Sequence, residues 1–155
     1  MSPPTAHSGS SGQGLEELLE ELRRRKWVLH LFGGREAPEI YAAVHRWPTC
    51  ADVIILRDEH RASAYRVPTF PGTDVFSPRV VTWQYHATPV WTLRAVLTLA
   101  EPGTPGAPLQ ALRPQPDCRI PPELRHDVTI RPTGTHREGS GEGEGTDGGG
   151  PPACA

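Results

Sequence analysis

The chain has 155 residues, a formal net charge of −2 and a hydrophobic fraction of 36%, with its 18 prolines and 16 glycines gathered toward the ends, so the apolar residues are pooled in one middle segment. Near-neutral charge excludes a global attraction to nucleic acid or to an acidic membrane, and no apolar run reaches the length of a membrane span. Three widely spaced cysteines, Cys50, Cys118 and Cys154, offer neither a CxxC pair nor an even disulfide framework, which suits a reducing cytoplasm.

Residues 1–14 (MSPPTAHSGSSGQG) have no basic and apolar signal-peptide regions. They hold too little apolar surface to offset ordering entropy, and disorder is expected there. An ordered α+β domain is expected over residues 15–100. Leu15, Leu18, Leu19 and Leu22 recur at i, i+3, i+4 and i+7, the stripe of an amphipathic helix. Glutamates lead this segment and Arg23, Arg24, Arg25 and Lys26 close it, which complements the helix dipole and allows i,i+4 pairs. The Leu stripe of residues 15–26 packs in cis or pairs with a second copy in a homodimer.

Trp27–Phe32 reads as a strand, broken by Gly33-Gly34. Pro38 then resembles the first position of a helix, with Ile40, Tyr41, Val44 and Trp47 sharing one side. Ala51–Arg57 is a continuous apolar run, as in a strand covered on both faces. These three pieces predict a β-α-β unit with parallel strands and a right-handed crossover. Asp58–Arg61 reads as a hairpin turn, Ala62–Val67 as the return strand and Val80–His86 as an alternating strand. Thr88-Pro89 opens a last helix.

The expected fold class is therefore α+β: a mixed four-stranded sheet in the order α-β-α-β-β-β-α, helices packed on the sheet, with disordered tails. Residues 101–136 form a proline-rich arm carrying Leu109, Leu112, Ile120, Leu124, Val128 and Ile130, either docked on the domain or a plain linker, with one helical turn at Pro122–Arg125 and a short strand at Val128–Arg131. Residues 137–155, rich in Gly and Glu, are expected to be a disordered tail.

No pattern names a reaction, and neither a cofactor nor a metal is called for. Gly33, Gly34 and Arg35 form a candidate anion-binding turn, because backbone N–H groups at a helix start attract anions. It lacks GxGxxG and the Lys and Ser/Thr of a P-loop. The Asp58-Glu59-His60 turn is too local to converge on a metal. His30, His45, Cys50 and His86 lack zinc-ligand spacing. Trp27, Trp47, Trp83 and Trp91 suit a core, or a surface that stacks ligand rings.

The loop 68–78 (PTFPGTDVFSP) is the most informative stretch, because long proline-stiffened loops are disproportionately functional. Arg66, Phe70, Asp74, Phe76 and Arg79 are its candidate partner-binding residues: aromatic surface edged by Arg suits a protein partner. The functional expectation is a small protein-binding or regulatory module without catalysis. The alternatives are an enzyme or phosphoryl-ligand binder at Gly33-Gly34-Arg35, and a nucleic-acid binder through an Arg face of Arg57, Arg61, Arg66 and Arg79. With so little net positive charge, nucleic acid is the weakest of the three.

Overall fold

A computed structural model describes residues 10–34, 36–127 and 129–132. Six strands form one sheet: β1 (Val28–Phe32), β2 (Ile40–Arg46), β3 (Cys50–Leu56), β4 (Ala62–Pro68), β5 (Trp83–Ala87) and β6 (Thr129–Pro132). Their spatial order is β5-β4-β3-β2-β1-β6, and every neighbouring pair is antiparallel. Two helices, α1 (Ser10–Arg24) and α2 (Pro89–Leu97), complete the α+β fold. None of the helices described is long and apolar enough to cross a membrane.

The expected helix over residues 38–47 is strand β2, so the sheet is neither four-stranded nor mixed, and the β-α-β unit does not form. Ile40, Val44 and Trp47 satisfy a helical period, but Ile40, Ala42 and Val44 also alternate with Tyr41, Ala43 and His45. Ala42, Ala43 and Val44 are all buried: β2 has protein on both faces, which erases the polar alternation that marks a strand. Gly33-Gly34 is thereby a hairpin connection, closed where Glu39 N–H donates to the Phe32 carbonyl at 2.9 Å. Gly33 has φ +94°, and a Cβ there would lie 2.9 Å from the Glu39 side chain, so glycine is required.

Alternation along β2, β3 and β4 divides the core between the two faces. Ala51, Val53, Ile55, Tyr65 and Val67 join one cluster with Phe32, Val75, Phe76, Val81, Cys118 and Ile120. Ala43, Ile54 and Ala64 join the other with Leu22, Trp27, Leu93, Val96 and Leu97. The two α-helices thus cover one face only. The other is covered by the loop 68–82 and by the C-terminal arm, segments with little regular structure.

On the helical face, α1 starts at Ser10, five residues before the Leu stripe, whose members Leu15, Leu18, Leu19 and Leu22 all reach the helix-side cluster. It stops in a Schellman motif. Lys26 N–H donates to the Arg23 carbonyl and Trp27 N–H to the Leu22 carbonyl, at 3.0 and 3.1 Å, while Lys26 takes φ 62°. The motif turns Trp27 back into the core beside Leu22.

The arm meets the sheet from Leu112 onward. Ile120 and Cys118 are fully buried, Ile120 N–H donates to the Phe76 carbonyl at 3.0 Å, and Leu112 bridges Val81. The turn at 122–125 is a short 3-10 helix, Pro122–Asp127, and the last strand pairs with β1. The expected strand over 80–86 begins only at Trp83, because Val81 pairs outward with the arm. Residues 10–14, expected to belong to a disordered tail, are the start of α1, while residues 1–9, Val128 and 133–155, including the expected tail 137–155, lie outside the described residues.

Candidate functional site

The loop 68–80 is held from several sides. Thr69 N–H donates to the Thr49 carbonyl at 3.0 Å. Phe70 and Thr73 close a turn: Phe70 N–H donates to Thr73 Oγ1 at 2.8 Å, and Thr73 N–H to the Phe70 carbonyl at 3.0 Å. Asp74 accepts from Phe76 N–H at 3.0 Å through Oδ1, and both its carboxylate oxygens accept from Arg125 of the arm, Oδ1 at 2.8 Å. The Arg125 guanidinium keeps the Asp74 carboxyl below its ordinary pKa, a hydrogen-bonding effect that outweighs partial burial. The Tyr65 hydroxyl donates to the Val75 carbonyl from inside the core, and burial pushes that phenol well above its usual pKa.

Val75 and Phe76 point inward from this frame, and the Phe76 ring meets Phe32 edge-on at 5.1 Å. Phe70 points outward and is 68% exposed. Beside it lies a cleft of about 540 Å³ lined by Pro68, Pro71, Pro78, Ser77 and Arg79. Arg79 makes no side-chain hydrogen bond or ion pair among the described residues.

The five partner-binding candidates therefore separate. Phe70 and Arg79 share the cleft with Asp74 at its wall. Phe76 is a core residue, and Arg66 is buried on the helical side, in a salt bridge to Asp52. In the anion-binding turn, Gly33 and Gly34 have φ +94° and +137°, but a strand follows instead of a helix, so the aligned N–H groups of a helix start are missing. Arg35 lies outside the described residues. Of the four arginines of the expected Arg face, Arg57 and Arg66 turn inward on opposite sides of the sheet, leaving Arg61 and Arg79 exposed.

His30, His45, Cys50 and His86 do not converge, and no cluster of three metal-binding groups exists among the described residues. Sequence reasoning missed a different grouping, made when the arm docks. Arg57 donates to the Asp117 and Arg119 carbonyls at 2.8 and 3.0 Å. Gln84 Nε2 donates to the Arg113 carbonyl at 3.0 Å, which turns its Oε1 toward three donors: Gln115 N–H at 2.9 Å, the Cys118 thiol at 3.4 Å and His86 Nε2 at 3.3 Å. His86 Nε2 thus carries the proton, and Nδ1 accepts from the Ser63 hydroxyl at 2.8 Å.

Cys118 and His86 do not make a nucleophilic dyad. Their atoms are 3.9 Å apart, burial pushes the thiol up to about 11, and burial lowers the His86 pKa. A reactive thiol needs the opposite shift. The cluster is a clasp that fastens residues 113–119 to Arg57, β4 and β5. No protein-family model matches this chain, and no curated protein or solved structure matches it either.

Proposed function

We propose that the chain is a protein-binding module without catalysis, which engages its partner through Phe70 and Arg79 on the loop 68–80. The observation that carries this reading is the contrast between two phenylalanines six positions apart. Phe76 is 7% exposed and Phe70 is 68% exposed, although both stand on one loop with a hydrogen-bonded frame. A loop whose backbone is already hydrogen-bonded around an exposed ring lowers the ordering cost that binding usually carries. Aromatic residues, Phe among them, and Arg are enriched at protein interfaces relative to the rest of the surface. A partner with an apolar socket flanked by a carboxylate would take up the ring and pair with Arg79.

The test is a quantitative pull-down from the native host, with the full chain as bait, beside a Phe70→Ala/Arg79→Ala double variant of unchanged melting temperature. Proteins retained by the wild type and lost from the variant support the reading. An identical retained set from both baits defeats it.

A further inference from the structure

We infer that the recess at the end of β5 binds a pyranose ring with equatorial substituents, as in a β-glucoside. It lies between the β3–β4 hairpin, the start of α2 and the docked arm, and is independent of the loop 68–80. Its volume is about 700 Å³, in the range of small-molecule sites, roughly 300–1,000 Å³. Tyr85 and Trp91 supply its aromatic surface, and they are 37% and 58% exposed. Tyr85 lies parallel to Trp83, with centroids 6.3 Å apart at an interplanar angle of 6°. The Arg94 guanidinium rests 5.3 Å from the Trp91 centroid. Each ring is thus steadied by a neighbour and still presents apolar surface to the recess.

The charges suit a neutral ligand. Arg61 and Asp117 line the recess with opposite signs and face each other, Nη2 to Oδ1 at 3.4 Å. His60 faces its neighbour Glu59 at 3.3 Å. His86 has both ring nitrogens engaged by Ser63 and Gln84, and burial lowers its pKa. Among the lining side chains neither sign is in excess. The rim repeats the balance, with Glu59 on the hairpin and Arg94 over the Trp91 ring.

The polar groups keep spare hydrogen-bonding capacity. Among the described residues Asp117 Oδ2 accepts no hydrogen bond, and Arg61 uses only Nη2. The Thr88 hydroxyl makes no capping bond to α2. Acceptors and donors therefore stand side by side, and hydroxyl groups use both. The aromatic surface asks for a flat apolar face. A pyranose with equatorial substituents has both: axial C–H bonds on its faces and hydroxyls around its rim. Its weakly positive C–H hydrogens meet the negative π face of a ring quadrupole, and the rim hydroxyls are left for Arg61, Asp117 and Thr88.

The experiment titrates the full chain with methyl β-D-glucopyranoside while following the Trp91 indole N–H and the backbone amides of Ala87 and Thr88 by NMR. Sorbitol, which has the hydroxyls without the ring, and cyclohexanol, which has a ring with one hydroxyl, serve as controls. Saturable shifts in the roughly millimolar range, absent with both controls, are the expected result. Read from the two amides, Trp91→Ala is expected to weaken binding about tenfold and Asp117→Ala about fivefold. Both side chains are exposed, so melting temperatures should hold. Leu109→Ala, an exposed change outside the recess, should leave binding unchanged. Tighter binding of cellobiose would mark a glycan chain as the source of the ring, and equal affinity a free sugar; either supports the inference. Equal shifts with cyclohexanol would mean a merely apolar surface, and equal shifts with sorbitol an unspecific polyol contact; either overturns it. So would the lack of any saturable shift at tens of millimolar glucoside, or full affinity in Trp91→Ala.

Discussion

Arg66 grips Asp52 across the β3–β4 pairing, Nε to Oδ1 at 2.6 Å and Nη2 to Oδ2 at 2.9 Å. Both side chains are sealed from water, and the third guanidinium nitrogen, Nη1, donates to the Ala100 carbonyl at 2.7 Å. The pair joins the sheet to the segment that leaves α2. A buried ion pair is a weak source of net stability, but removing one partner strands the other charge. Asp52→Ala is expected to cost about 3–5 kcal/mol in urea denaturation. The double variant Asp52→Leu/Arg66→Met should recover most of that loss. A double variant less stable than Asp52→Ala would disprove this account.

The end of α1 carries a removable strain. Lys26 sits at φ 62°, where a Cβ crowds the backbone and glycine does not. Lys26→Gly is expected to stabilise by about 1 kcal/mol, seen as a melting temperature several degrees higher. A lower melting temperature would show that the Schellman geometry is not what sets this position.

Two substitutions on one loop separate its structural ring from its displayed ring. Phe76→Ala opens the core under β1 and is expected to cost about 3–5 kcal/mol. Phe70→Ala is expected to change stability by less than about 0.5 kcal/mol. Comparable losses from both would place Phe70 in the fold and remove the basis for partner binding there.

Acid should loosen the clasp. Burial lowers the His86 pKa in the folded chain, Asp117 opposes that shift and Arg57 adds to it. The folded state therefore binds fewer protons at this site than the unfolded state. Stability is complete above the unfolded value of about 6.5 and falls as pH drops through it, levelling off below the depressed folded value. His30, also lowered by burial and by Arg46, acts in the same direction. Urea midpoints between pH 8 and pH 5 should fall in the wild type and fall less in His86→Asn. Identical pH slopes would remove His86 from this role.

The buried thiols should be inert. With Cys118 pushed up to about 11 and Cys50 raised by burial, neither carries much thiolate at pH 8. In a Cys154→Ser variant, iodoacetamide is expected to leave the native chain unlabelled and to add two groups after denaturation, by mass spectrometry. Rapid native labelling at Cys118 would mean that the arm opens readily.

The parts of the fold legible in the sequence were those with an asymmetric environment. Helix α1 has one apolar stripe and an ordered run of charges, and α2 has a Thr-Pro start. The hairpin at Asp58–Arg61 has turn residues between two strands. Strand β2 was misread because a segment covered on both faces loses the period-two polarity that separates strand from helix. Of the candidate site, the loop was legible from its prolines and aromatics. The division of labour between Phe70 and Phe76 was not, because both rings stand in similar local sequence.

What the sequence determined by itself was the α+β class, most of the strands and the loop that stands out from them. Each rests on local chemistry: dipole-matched charges, turn residues, apolar runs. The tertiary structure alone decided the antiparallel order and the inward turn of Arg66. It alone also brought Arg61, Trp91 and Asp117 to one recess, and Ser63, Gln84, His86 and Cys118 under the arm. Those are contacts between segments distant in the chain. They are set by strand register and by which face of the sheet each residue meets, and a shift of one residue in register would reverse them all.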